Sequence, residues 1–240
     1  MKFFTPLTCL GLTLSAVHAA TIITSDTATI AIPDGSSSGL ARQLIVSAPG
    51  ESIVSVQVDL SVSAVPSNVA FLGDLYFYLN HESQSLVLLN RAGRSSSSLS
   101  GYSDNQSMNV TFSESATNDI HNYRLTLKGN QTTPLSSALN GIWQADGRAT
   151  DPSSVLDTDA RTAGLNVFNG TAASGAWNLF AADLSTGAVH QLTGWTLRLT
   201  TVPEPSSTLV FVSASCISLL YRRRKIEGNA NQSHGSILDA

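Results

Sequence analysis

Apolar and polar side chains alternate along most of this chain, and that alternation predicts strands. Across residues 52–63, Val54, Val56, Val58, Leu60 and Val62 alternate with Ser55, Gln57, Asp59, Ser61 and Ser63, giving one core-facing and one wet face. Residues 175–183 place Trp177, Leu179 and Ala181 on one side, and residues 194–201 do the same with Trp195, Leu197 and Leu199, so both tryptophans face one core. Asp183, Ser185, Thr186, Gly187 and Gly194 between them are turn formers. Leu75, Phe77 and Leu79 form another inward set, and the apolar run 86–89 pairs with it as a hairpin across residues 81–84. A first strand from Thr21 ends near Ile32, before the turn signal Pro33-Asp34-Gly35, and residues 40–48 give a second. Residues 108–112 and 123–127 are further strand candidates. The serine-rich stretch 94–103 reads as an exposed loop, and residues 135–164 as a long irregular excursion. No long stretch repeats at 3.6 residues. The expected fold is all-β: a single antiparallel β-sandwich of jelly-roll, galactose-binding-like type.

The two ends follow other patterns. Residues 1–19 carry Lys2, then an apolar run closing on Val17-His18-Ala19, the layout of a secretory signal cleaved after Ala19. After the last strand come Pro203, Glu204 and Pro205, then an apolar segment bounded by Leu209 and Tyr221, then Arg222, Arg223, Arg224 and Lys225. This order of parts resembles the PEP-CTERM sorting signal, the bacterial C-terminal tag read by membrane transpeptidases of the exosortase type. The apolar segment reaches only about 20 Å at the helical rise, short of the roughly 30 Å hydrocarbon core, so it suits a temporary stop in the membrane. The basic cluster holds its far end in the cytoplasm. The expected division is a signal peptide over 1–19, a β-sandwich over 20–201, a sorting signal over 202–225 and a polar tail over 226–240.

A second resemblance rests on the closing strands. Gly-x-Trp-x-Leu, then Asp183, then a glycine-containing link, then Leu-x-x-Trp-x-Leu, resembles the end of the P domain (Homo B domain) that follows the catalytic domain in subtilisin-like proprotein convertases. Gly73-Asp74-Leu75, followed by an aliphatic strand and a basic, glycine-containing turn, adds to the likeness, which covers about residues 31–200. It implies a β-sandwich that accompanies a protease without being one.

Composition narrows the chemistry. The formal net charge is −4 although four cations cluster in the tail, so the body is more acidic still, and nucleic-acid binding is not expected. Cys9 and Cys216 both lie in the terminal segments, which leaves the body without a disulfide framework, a thiolate metal site or a cysteine nucleophile. His81, His121 and His190 sit in no hydrolase motif; His81-Glu82 has Ser85 where a zinc protease has its second histidine. No catalytic residues and no enzyme activity are expected. No cofactor is expected either, with a structural calcium as the one candidate ion, its oxygen donors Asp34, Asp74, Asp146, Asp157, Asp159 and Asp183. The expected function is that of an exported, non-catalytic surface or matrix protein of a bacterium, structural or adhesive. Its alternatives are an exopolysaccharide-binding module, stacking Trp143 and Tyr102 on sugar rings, and an accessory partner of a separate subtilisin-like protease.

Overall fold

The computed structural model describes residues 18–66 and 68–204. Residues 1–17 of the signal segment, Pro205, the apolar segment from Leu209 to Tyr221, Arg222 to Arg224 and the polar tail lie outside the described residues. Among the described residues ten strands follow in chain order: β1 Ala20–Asp26, β2 Ile30–Ala31, β3 Ser36–Val46, β4 Glu51–Ala64, β5 Leu75–His81, β6 Gln84–Asn90, β7 Met108–Ser113, β8 Leu139–Trp143, β9 Gly175–Asp183 and β10 His190–Pro203. They form two sheets. The six-stranded sheet runs β1-β10-β4-β7-β8, with β2 also on β10, and the four-stranded sheet runs β3-β9-β5-β6.

The alternating patterns become the two inner layers of an all-β sandwich. Val56, Val58, Leu60 and Val62 of β4, with Trp195, Leu197 and Leu199 of β10, face Leu75, Phe77 and Leu79 of β5 and Trp177 and Leu179 of β9, all of them buried. Each such side chain contributes about 1.5–3 kcal/mol relative to exposure. The closing strands β9 and β10 share this core from opposite sheets, because the link between them crosses the sandwich. At one end of the molecule Ala20 pairs with Thr201, so the domain's first and last strands are neighbours. Arg42 of β3 donates from Nε to Asp26 Oδ2 of β1 at 2.6 Å, latching the two sheets together.

Several local expectations are corrected. Within β4, Ile53 is buried and Val54 is 44% exposed, because the pairing with β10 slips between Thr200 and Thr201 and leaves Val54 in the irregular register. The first strand breaks at residues 27–29, where Asp26 Oδ1 accepts from the Ala28 amide at 3.0 Å. Residues 123–127 are not a strand: Tyr123–Lys128 form a short helix, α1. Asp119 accepts from the His121 amide just ahead of it. Gly129, at φ 71° in the left-handed region, closes it with its N–H on Leu125 O. The excursion 135–164 contains a strand, β8, which pairs parallel to β7 and so departs from a purely antiparallel sheet. Pro203 is the last residue of β10, opposite Glu51, rather than wholly outside the strand; an exposed final position tolerates the missing amide donor. Among the described residues no helix is long and apolar enough to cross a membrane.

Candidate binding face and buried ion clusters

Three sets of polar side chains are buried at the ends of the sandwich. In the first, Asp146 accepts from His121 Nδ1 at 2.9 Å, from Arg148 Nη1 at 3.1 Å and from the Asn90 amide at 3.1 Å. Arg148 also reaches Asp119 Oδ2 at 2.7 Å, and Asn90 Nδ2 donates to the carbonyls of Arg148 and Thr150. Together these bonds fasten the excursion 144–164 to β6, whose free edge is covered by the Asp146 and Gly147 amides bonding Leu88 O and Val87 O. In the second set, Asp104 takes Tyr123 Oη at 2.6 Å, Arg124 Nε at 2.7 Å and the Leu135 amide at 2.6 Å. In the third, Asp183 Oδ2 lies 2.6 Å from His190 Nδ1, beside Asp74, Arg91 and Ser185.

Burial raises the Asp74 carboxyl, against a weaker opposing pull from Ser185. Burial alone would also raise Asp119, but the Arg148 guanidinium outweighs it and holds that carboxyl low. His121 shows the same balance with the opposite sign of charge: burial opposes its charge, yet the Asp146 carboxylate holds it above the ordinary imidazole value. With Asp146 on Nδ1 and the Arg94 carbonyl on Nε2 at 3.1 Å, both ring nitrogens face acceptors, which suits an imidazolium. A raised folded value contributes stability that is complete below the unfolded imidazole value, about 6.5, and is lost as pH rises through the folded one. Stability is therefore expected to fall with rising pH above about 6.5, in step with the titration of the His121 ring protons by NMR. A stability flat across that titration contradicts the assignment.

The third cluster contains the residue types of a hydrolytic triad, Ser185, His190 and Asp183. A relay needs the base nitrogen on the nucleophile. Here His190 Nε2 is buried with no hydrogen-bond partner among the described residues, while Ser185 Oγ accepts from Arg91 Nη2 at 3.1 Å. His81, the third histidine, stacks on Trp177 at 4.0 Å and 3°, and its ring nitrogens face the carbonyls of Ala176 and Ala172 at 3.1 and 2.7 Å.

Of the six candidate calcium donors only Asp74 and Asp183 lie beside each other among the described residues. Asp34 accepts from the Gly187 amide, Asp159 from the Leu156 amide, the Asp157 carbonyl from Arg148, and Asp146 and Asp183 hold the partners just described. Among the described residues no group of three or more His, Cys, Asp or Glu side chains is placed to hold a metal ion. The stacking platform expected of Trp143 and Tyr102 is overturned. Both are 3% exposed: Trp143 donates from Nε1 to Asn140 O at 3.0 Å, and Tyr102 packs against Tyr123 at 4.8 Å under the Arg124 guanidinium.

Partly exposed aromatics lie elsewhere, on the outer face of the four-stranded sheet. Tyr78 of β5 and Phe180 of β9 are directly opposite across the pair and stack at 4.6 Å and 12°. Tyr76 abuts both, at 5.8 and 6.3 Å. Burial first, and the neighbouring Tyr78 second, raise the Tyr76 phenol, so it stays neutral. Gly39, at φ 51°, lets β3 pass over this group: a Cβ there would fall 2.6 Å from Phe180 Cζ. Two residues along the same strands, Asn80 pairs with Asn178, and Asn178 with Gln43 of β3, with Gln43 Nε2 donating to Asn178 Oδ1 at 2.9 Å. The result is a row of aromatic rings beside a row of amides. The signal for it lies in Leu75-Tyr76-Phe77-Tyr78-Leu79, where aromatic residues occupy both faces of one strand. Of the tail residues, Pro203 and Glu204 are exposed. No family model, curated protein or solved structure matches this chain.

Proposed function

We propose that this chain is an exported, non-catalytic protein of a bacterial cell surface or extracellular matrix, that it acts adhesively, and that an exosortase-type transpeptidase sorts it through its C-terminal tail. The observation that carries the adhesive reading is the outer face of the four-stranded sheet, where Tyr76, Tyr78 and Phe180 stand partly exposed in one group. A solvent-facing sheet surface ordinarily carries small polar and charged residues. The other sheet mixes the two kinds: Arg198 and Thr111 bond Asp59 across its outer face at 2.8 Å each, with Ile23 and Ile142 exposed singly beside them. Apolar surface left in water costs free energy roughly in proportion to its area, and a contiguous exposed patch is the usual mark of a surface that meets a partner. The buried aspartates Asp104, Asp146 and Asp183, by contrast, are engaged with Arg124, His121, Arg148 and His190 inside the fold.

Support for the sorting reading comes from the order of parts in the tail and from where β10 ends. Pro203 and Glu204 are exposed where the chain leaves the sheet, beside the strand that begins at Ala20. A processing enzyme at the membrane then meets an extended, accessible segment, since proline restrains both itself and its predecessor. In a host with the matching exosortase, mass spectrometry of the mature protein is expected to give an N-terminus at Ala20 and no residue from Leu209 onward. Replacing Pro203, Glu204 and Pro205 by alanine is expected to leave a longer, membrane-retained form. A wild-type protein that keeps residues 226–240 at the cell surface contradicts the sorting reading.

A further inference from the structure

We infer that the outer face of the four-stranded sheet binds a chain of uncharged pyranose sugars, an assignment that rests on the adhesive reading and names its ligand. The rings and the amides form parallel rows across neighbouring strands. Tyr78 and Phe180 are paired positions in one row, and Asn80, Asn178 and Gln43 are paired positions in the next. Two residues along a strand separate the rows, about 7 Å, close to the size of one sugar ring. A pyranose has an apolar C–H face and a rim of hydroxyls. The face suits the aromatic group, and the hydroxyls, as donors and acceptors at once, suit side-chain amides, which also offer both.

Charge decides between this ligand and others. No outward-facing position in the paired stretches of β3, β5, β6 and β9 is acidic or basic; what stands there besides the rings and amides is alanine, isoleucine, serine and valine. An acidic polysaccharide or a phosphate finds no counter-charge on this face, and the chain's formal charge of −4 repels it. A dry protein partner is disfavoured for a different reason: covering Asn80, Asn178 and Gln43 with apolar surface strands their amides, which costs free energy unless each is hydrogen-bonded. Asn80 Oδ1 is itself buried without a partner among the described residues, so the amides open to a ligand are led by Gln43 and Asn178. A hydroxyl-rich ligand supplies those bonds while covering the rings.

The test uses the exported protein in affinity electrophoresis through gels holding a soluble neutral glucan, a neutral galactomannan or the acidic polymer alginate. Tyr78→Ala and Asn178→Ala are the variants; both positions are on the outer face, and circular dichroism establishes that each variant keeps the wild-type β spectrum. The expected result is retardation of the wild type by at least one neutral polymer, insensitive to added salt, and weakened at least about tenfold in both variants. Retardation by alginate alone, neutral-polymer binding unchanged in folded variants, or no retardation by any polymer overturns the assignment. So does a concentration-dependent dimer in sedimentation that Tyr78→Ala dissolves, since the face is then a self-interface. Attachment of cells displaying the same proteins separates the two claims. Attachment lost in Tyr78→Ala without any neutral-glycan binding sinks the sugar assignment and leaves adhesion standing, whereas attachment indifferent to the variant sinks the adhesive reading itself.

Discussion

Replacing Asp146 by alanine is expected to cost about 3–5 kcal/mol of folding stability, the loss that follows when one partner of a buried ion pair is removed. The Asp146 carboxylate has no exposed surface and gathers three donors, His121 Nδ1, Arg148 Nη1 and the Asn90 amide, at 2.9–3.1 Å. Without it, His121 keeps only the Arg94 carbonyl, and Arg148 keeps Asp119 together with backbone carbonyls. The Asn90 amide is left facing an empty space. Because the same carboxylate ties the excursion 144–164 to β6, the edge of the four-stranded sheet is also expected to loosen. Asp146→Asn keeps the volume and one acceptor and is expected to cost less. With total stabilities of about 5–15 kcal/mol for domains of this kind, the alanine variant approaches the threshold of folding. Urea denaturation of the purified protein measures it, and a loss below about 1 kcal/mol places Asp146 outside the supporting network.

The second large effect lies at Trp195, which is 2% exposed between the sheets. Trp195→Ala is expected to cost about 3–5 kcal/mol through lost transfer energy and the cavity left behind. The indole Nε1 of Trp195 has no hydrogen-bond partner among the described residues, so Trp195→Phe fills most of the space without an orphaned donor and is expected to cost well under half as much. Trp177 differs in this respect, since its Nε1 points to Ala173 O at 3.4 Å and its ring stacks on His81. Chemical denaturation of the two Trp195 variants checks the ordering; a loss from Trp195→Ala below about 1 kcal/mol contradicts its placement in the core.

The sandwich was legible wherever one face of a strand is wet and the other dry. Period two alone predicted the inward sets of β4, β5, β9 and β10 and the hairpin of β5 and β6, because the pleat converts alternation directly into a buried and an exposed face. It misread Val54, which continues the alternation perfectly but sits where the register slips. Residues 123–127 also alternate, yet the preceding Asp119 and the following left-handed Gly129 decide for a helical turn, leaving Leu125 and Leu127 49% and 47% exposed. The serine-rich stretch 94–103 was expected to stay in solvent as a whole, but Tyr102 is drawn inward beside Tyr123, whose hydroxyl is fixed by Asp104. A local polarity average cannot register one anchored ring. The partnership of His121 with Asp146 spans 25 residues of irregular chain and leaves no periodic trace. The aromatic group on the outer face was in principle readable, because Tyr76, Tyr78 and Phe180 fall on the side of their strands that the core leaves free.

That group carries the central claim, that the protein acts through the outer face of its four-stranded sheet. The most direct measurement is retention of the purified protein on washed cells lacking its gene, comparing the wild type with a Tyr78→Ala, Phe180→Ala double variant. The two rings stack on each other outside the core, so the variant is expected to fold and to lose at least nine-tenths, about tenfold, of the retained protein. Equal retention of a correctly folded double variant contradicts the account.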